Sequence, residues 1–139
     1  MLFCGLGEGW TKEESVCRAH CGRIVNDQNQ DTRRQEQLLR AALSAGRSVV
    51  VDNTNPRPED SRPLVRLGHE HGAKVLGYFF EASVRECLRR NEMREGKARV
   101  PDVAIYATVE KLVAPSIVEG FDELFCVRLN GFAYEVHGC

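Results

Sequence analysis

The sequence predicts one α/β domain built on a doubly wound, mostly parallel sheet. Three observations carry that expectation. Apolar strand-length runs alternate with helix-length segments along the chain. The run Ser48-Val49-Val50-Val51-Asp52 is β-branched and apolar on both faces, as a parallel strand covered by helices on each side must be. A chain of 139 residues, 42% of them apolar and 28% charged, is long enough to bury one core and too short for two.

Taken in order, residues 2–6 (Leu-Phe-Cys-Gly-Leu) read as a buried strand entering a glycine-rich turn, Gly5-x-Gly7-x-Gly9. Residues 12–21 read as helix and 23–25 as a short second strand. A helix over 31–45 places Leu38, Leu39, Ala42 and Leu43 on one face and stops at Gly46. Strand 48–52 then opens into a polar loop, Asn53-Thr54-Asn55-Pro56-Arg57-Pro58. A helix over 59–71 leads to a buried strand over 74–80. Residues 83–95 form an arginine-rich helix, 96–101 break it, and 102–113 resume as an amphipathic helix beside Pro101. Residues 124–129 form the last core strand, with 132–136 available to pair with it. No repeat, low-complexity tract or linker interrupts this order, so residues 1–139 read as a single domain of somewhat short length.

Composition excludes several classes. No apolar run approaches the roughly 20 residues of a membrane helix, and the first residues carry neither a basic n-region nor an extended apolar h-region. The expectation is an intracellular protein, nuclear or cytoplasmic, with no membrane partner. A net charge of −1 leaves any nucleic-acid contact to a local basic cluster. Cys4, Cys87 and Cys126 sit in apolar or helical stretches, so the six cysteines read as reduced thiols rather than a disulfide framework. Cys17-Arg-Ala-His20-Cys21 sets three metal-ligand types at helical spacing, but a fourth ligand at recognisable spacing is missing, so a helix with chance cysteines is the simpler reading.

Ligands of doubly wound sheets bind at the carboxyl ends of the strands, which directs attention to three clusters. Asp52 ends a buried strand and opens Asp52-Asn53-Thr54-Asn55-Pro56. A carboxylate there can hold a magnesium water, orient a hydroxyl or fix an arginine, or it can simply close an Asx-turn. Arg90 and Arg94 share a helical face and can grip one polyanion, or they form a solvated face with Glu86 and Arg90 as an i,i+4 pair. The glycine-bounded basic stretch behind them makes 89–101 a candidate lid over phosphates. The third cluster, Asn26-Asp27-Gln28-Asn29-Gln30-Asp31-Thr32-Arg33-Arg34, sets carboxylates and arginines after the short second strand; a helix N-cap accounts for Asp31 alone.

Together these residues resemble the P-loop 5′-hydroxyl polynucleotide kinases, most of all the kinase domain of the eukaryotic bifunctional polynucleotide kinase-phosphatases, with phage polynucleotide kinase more distant. Asp52-Asn53-Thr54-Asn55-Pro56 is similar to the sequence after that family's third kinase strand. Arg90-Asn91-x-x-Arg94 with Val100-Pro101 resembles its lid arginines, and Ala114-Pro115-x-x-x-Glu119-Gly120-Phe121 the segment after its lid helix. The likeness spans about residues 26–129, roughly three quarters of the chain. It implies a P-loop NTPase, nucleoside-kinase-like fold and ATP-dependent phosphoryl transfer, with Mg²⁺, to 5′-hydroxyl ends of nucleic acid. Asp27 or Asp31 would be the base, Asp52 would orient groups near the metal, and Arg90 and Arg94 would stabilise the transferred phosphoryl group. Arg34 would contact the acceptor strand, and Asn53, Thr54 and Asn55 would line the acceptor side.

The chain departs from the family at the phosphate loop, Gly-x-x-x-x-Gly-Lys-[Ser/Thr]. Here residues 5–12 read Gly5-Leu6-Gly7-Glu8-Gly9-Trp10-Thr11-Lys12. With Gly9 as the last loop glycine, Trp10 stands in the lysine's place and Thr11 keeps the metal-binding hydroxyl; with a shifted loop, Lys12 serves as the lysine. Gly5, Gly7, Gly9, Thr11 and Lys12 are the candidate phosphate-loop residues on either reading, and residues 1–25 form a degenerate or truncated phosphate-loop region. The expected activity is a weakened polynucleotide kinase. The alternatives are an inactive kinase-like binding module, a truncated gene product and a small-molecule P-loop kinase.

Overall fold

The computed structural model describes residues 2–5, 22–25, 32–81, 83–130 and 133–139. Six strands form one sheet. They are β1 (Leu2–Gly5), β2 (Gly22–Val25), β3 (Val49–Asp52), β4 (Lys74–Glu81), β5 (Glu123–Asn130) and β6 (Ala133–Gly138), and their spatial order is β2-β3-β1-β4-β5-β6. Helices α1 (Thr32–Ser44) and α2 (Pro58–Glu70) connect β2 to β3 and β3 to β4. Between β4 and β5 come α3 (Val84–Glu92) and α4 (Asp102–Lys111), with short 3₁₀ turns over Gly96–Ala98 and Ile117–Glu119.

The core lies where α1 and α2 cover the sheet. Leu39 and Leu43 of α1, Val65 and Leu67 of α2, and Val49, Val51 and Val75 of the strands are each no more than 2% exposed. Helical spacing explains Leu39, Ala42 and Leu43; Leu38, expected on the same face, lies 46% exposed because it stands one step round the helix. Gly46 ends α1 at φ +70°, a conformation glycine adopts without a Cβ penalty. On β3 the alternation is sharper than expected: Val49 and Val51 are fully buried, whereas Val50 is half-buried.

The expectation of a mostly parallel sheet is corrected to a mixed one. β2 pairs parallel with β3 and β4 parallel with β5, but β1 runs antiparallel to both β3 and β4, and β6 antiparallel to β5. A four-residue apolar run fits either direction, since its side chains alternate the same way in both. The four strands β2 to β5 still point one way, so their carboxyl ends share one edge of the sheet.

Two other expectations change. Residues 102–113 do not present an apolar stripe to the core: no residue of α4 is buried, and Val103 and Tyr106 are 72% and 54% exposed. The cysteines are not all free thiols, because Cys126 and Cys139 form a disulfide. The β5–β6 hairpin creates it, laying Cys126 opposite His137 and so bringing Cys139 alongside. Cys87 is free, and Cys17, His20 and Cys21 lie outside the described residues.

Candidate active-site cleft

A cleft of about 610 Å³ opens at the carboxyl edge of β3 and β4. One wall is the loop after β3, where Asp52, Asn53, Thr54 and Asn55 all border the cavity. The other is made by α3, α4 and the turn between them, with Arg90 on α3 and Arg94 in the turn just after it. The middle of β4, from Gly77 to Phe80, lines it as well.

The β3 loop is held in shape from three sides. Asn55 has φ +30°, a left-handed conformation that asparagine tolerates better than most residues, and it does so immediately before Pro56. The Pro56 carbonyl accepts a hydrogen bond from the Val113 backbone N–H at 2.8 Å, which ties the loop to the segment after α4. Asn53 Nδ2 donates to Gln35 Oε1 at 3.4 Å, so the first turn of α1 abuts the same loop. Gln35 is only 3% exposed, and its Nε2 has no hydrogen-bond partner among the described residues. Asp52 ends β3 half-buried and lies in register with Val25, the last residue of β2.

The turn between α3 and α4 is organised by a residue whose role the sequence did not disclose. Asn91 is 2% exposed and spans the turn: its Nδ2 donates to Val100 O at 2.7 Å and to Asp102 Oδ1 at 3.0 Å. The Val100 N–H returns a bond to Asn91 Oδ1 at 3.0 Å. This clamp closes residues 92–101 into a compact hairpin between α3 and α4. The arginines flank it: Arg94 is exposed, while Arg90 is half-buried and donates to Glu86 Oε1 at 2.8 Å. The i,i+4 pair foreseen between Glu86 and Arg90 therefore exists, and Arg90 still borders the cleft. Hydrogen bonds from Arg89 and then Arg90 lower the Glu86 carboxyl to about 2.

The Glu119-Gly120-Phe121 motif supports the cleft from behind. Glu119 Oε2 accepts from the Ser61 hydroxyl of α2 at 2.6 Å, and Oε1 accepts from the Ser116 N–H at 2.8 Å. Gly120 turns the chain at φ +105°, and Phe121, 7% exposed, packs against Gly77. A Cβ on Gly77 would stand 2.6 Å from Leu124 Cδ1, so only glycine lets Phe121 and Leu124 approach the β4 backbone there. The Ser116-x-x-Glu119 spacing of a capping box was readable in the sequence; the partner Ser61 was not.

The structure brings together Asp52, Asn53, Thr54, Asn55, Arg90 and Arg94. Arg34 is exposed in the first turn of α1 and does not border the cleft. Gly5 stands apart from these residues. It pairs with Lys74 at the amino end of β4, about 13 Å along the strands from Asp52 at 3.3 Å per residue. Gly7, Gly9, Thr11, Lys12, Asp27 and Asp31 lie outside the described residues.

Four co-directed strands, β1 inserted between β3 and β4, and a polar cleft at the carboxyl edge define an α/β domain of the P-loop NTPase type. The AAA domain family profile matches residues 13–115, and the chain belongs to that family. The match covers about three quarters of the chain, including the β3 loop and the α3–α4 turn, and begins after the Gly5–Lys12 stretch. The common property of this class is binding a nucleoside triphosphate. None of the described helices is long and apolar enough to cross a membrane.

Proposed function

We propose that the cleft binds ATP with Mg²⁺ and a 5′-hydroxyl end of a polynucleotide, and that it transfers the γ-phosphoryl group to that hydroxyl at a reduced rate. The observation that carries this reading is the meeting of the Asp52–Asn55 loop with Arg90 and Arg94 across one cavity. Two guanidinium groups on one wall suit a phosphate chain, and a carboxylate opposite them suits a hydrated divalent cation. ATP, when bound, supplies the phosphoryl group. Arg90 and Arg94 would hold its developing charge, with Arg90 oriented by Glu86. Asp27 or Asp31 would take the proton of the attacking hydroxyl; the strand carrying the chain toward them ends at Val25, beside Asp52. Arg34 would meet the acceptor strand at the rim, and Asn53 to Asn55 would line its path.

The test is label transfer from γ-labelled ATP to a 5′-hydroxyl oligonucleotide in Mg²⁺, with Asp27→Ala, Asp31→Ala and Arg94→Ala alongside. Transfer that falls about 10²- to 10³-fold in Arg94→Ala, and in one aspartate variant, supports the reading. Absence of transfer in the parent protein overturns it. Nucleosides offered as competing acceptors separate polynucleotide from small-molecule transfer.

A second reading, a nucleotide-binding module without turnover, is favoured by one observation. β1 runs antiparallel, so Gly5 leaves the sheet at the edge opposite the cleft, and Trp10 stands where the family's loop lysine would. Saturable ATP binding without transfer would establish this reading.

A further inference from the structure

Away from the cleft, the far strands gather a set of metal-ligand side chains. In register, Cys126 of β5 faces Phe79 of β4 on one side and His137 of β6 on the other. Side chains alternate along a strand. Glu81, two residues beyond Phe79, therefore shares the face of Cys126 and His137. So does Cys139, two residues beyond His137, whose N–H still bonds to Leu124 O at 3.2 Å in continuation of the ladder. Donor atoms of Glu81, Cys126 and His137 all lie within 4.8 Å of one another. Cys139 is not within that mutual distance of all three, but its sulfur is bonded to that of Cys126, with a Cα–Cα distance of 5.2 Å, so a fourth donor stands next to the group. None of the four borders the cleft.

We infer that Cys126, Cys139, His137 and Glu81 form a four-ligand site for Zn²⁺ that is occupied when the Cys126–Cys139 disulfide is reduced. Two thiolates, an imidazole and a carboxylate are a donor set suited to tetrahedral zinc. Zinc–sulfur and zinc–nitrogen bonds of about 2.3 and 2.0 Å require ligand atoms roughly 3.3–3.8 Å apart. Ligation therefore needs the Glu81, Cys126 and His137 donor atoms, now within 4.8 Å of one another, to draw closer, which the exposed His137 side chain allows, and the two sulfurs to part once their bond is cleaved. Arg128 provides the outer support. It donates to Glu81 Oε2 from Nε at 2.9 Å and approaches it at 2.7 Å through its terminal nitrogen, which leaves the other oxygen for a metal.

Disulfide and metal exclude each other, because both need the same two sulfurs. A dithiol reductant passes two electrons and two protons to the Cys126–Cys139 bond and itself becomes a disulfide, leaving two thiols. Zn²⁺ then displaces both thiol protons and binds the thiolates together with neutral His137 and ionised Glu81.

The test is titration of the metal-free full chain with Co²⁺, a zinc surrogate whose thiolate charge-transfer and tetrahedral d–d bands are visible, followed by displacement with Zn²⁺. Because Cys17, His20 and Cys21 are also ligand types, the titration is run on the parent chain and on Cys17→Ser/Cys21→Ser. The expected result is one tetrahedral thiolate site in the reduced chain that survives Cys17→Ser/Cys21→Ser. Oxidation of the two thiols to the Cys126–Cys139 disulfide, or Cys139→Ser, should weaken it about a hundredfold or more. In the parent chain, Cys139→Ser should lower the Co²⁺ stoichiometry by one, a readout that does not depend on the double variant folding. Three results would overturn the inference: no charge-transfer band in the reduced chain, equal affinity in reduced and oxidised forms, or unchanged stoichiometry in Cys139→Ser and His137→Ala.

Discussion

Asn91→Ala should unfasten the α3–α4 turn without touching an arginine. The side chain is 2% exposed and makes three hydrogen bonds across the turn, two to the Val100 backbone and one to Asp102. At 0.5–1.5 kcal/mol each, their loss costs about 1.5–4.5 kcal/mol. Val100 is only half-buried, so water recovers part of its backbone pairing and the cost settles near 3 kcal/mol. In a chain of this length that corresponds to a fall in Tm of about 10 °C. Asn91→Asp keeps an acceptor for the Val100 N–H but turns a carboxylate oxygen toward Val100 O and Asp102 Oδ1. It should be at least as damaging at pH 7, and should recover relative to Asn91→Ala as the pH falls through the carboxylate range and the group becomes a donor. Urea unfolding gives the global cost, and amide hydrogen exchange at Val100 gives the local one. A change below about 0.5 kcal/mol with Val100 still protected would refute the clamp.

Gly77→Ala should destabilise by about 1–3 kcal/mol, since its Cβ would collide with Leu124 and crowd Phe121, and the deficit is read from the urea midpoint. Gly46→Ala, placed in open space at φ +70°, should cost less, about 1 kcal/mol of backbone strain. An equal cost at both sites would contradict the close packing at β4. Glu86 has a depressed carboxyl, so its pairing contributes stability above its ordinary pKa of 4.5 and loses that contribution as the pH falls through about 2. The stability difference between the parent chain and Glu86→Gln should shrink over that window, and in an NMR titration Arg89→Ala/Arg90→Ala should return Glu86 toward the ordinary range.

Much of the fold was legible because its signals are local. The β-branched run at Val49–Val51, the stop at Gly46 and the apolar face of α1 each depend on a few neighbouring residues. That the Asp52–Asn55 loop and Arg90 and Arg94 border one cleft could be approached from sequence too, because ends of buried strands and basic helix faces have distinct compositions. What escaped depended on pairing at a distance. The direction of β1 is invisible in four apolar residues, and it separates Gly5 from the cleft. Asn91 reads as a polar residue of an arginine motif until Val100 and Asp102 fold back onto it. The Cys126–Cys139 disulfide follows from the β5–β6 register, which no spacing rule supplies. The amphipathic reading of 102–113 failed because α4 lies against α3 at the mouth of the cleft rather than on the core.

The central claim is that Arg90 and Arg94, facing the Asp52 loop, make the nucleotide site. Isothermal titration of ATP with Mg²⁺ into the parent chain and into Arg90→Ala/Arg94→Ala tests it directly. The predicted result is saturable one-site binding that weakens at least tenfold in the double variant, whose Asn91 clamp remains intact. Equal affinity in the two proteins, or no binding in either, would contradict it.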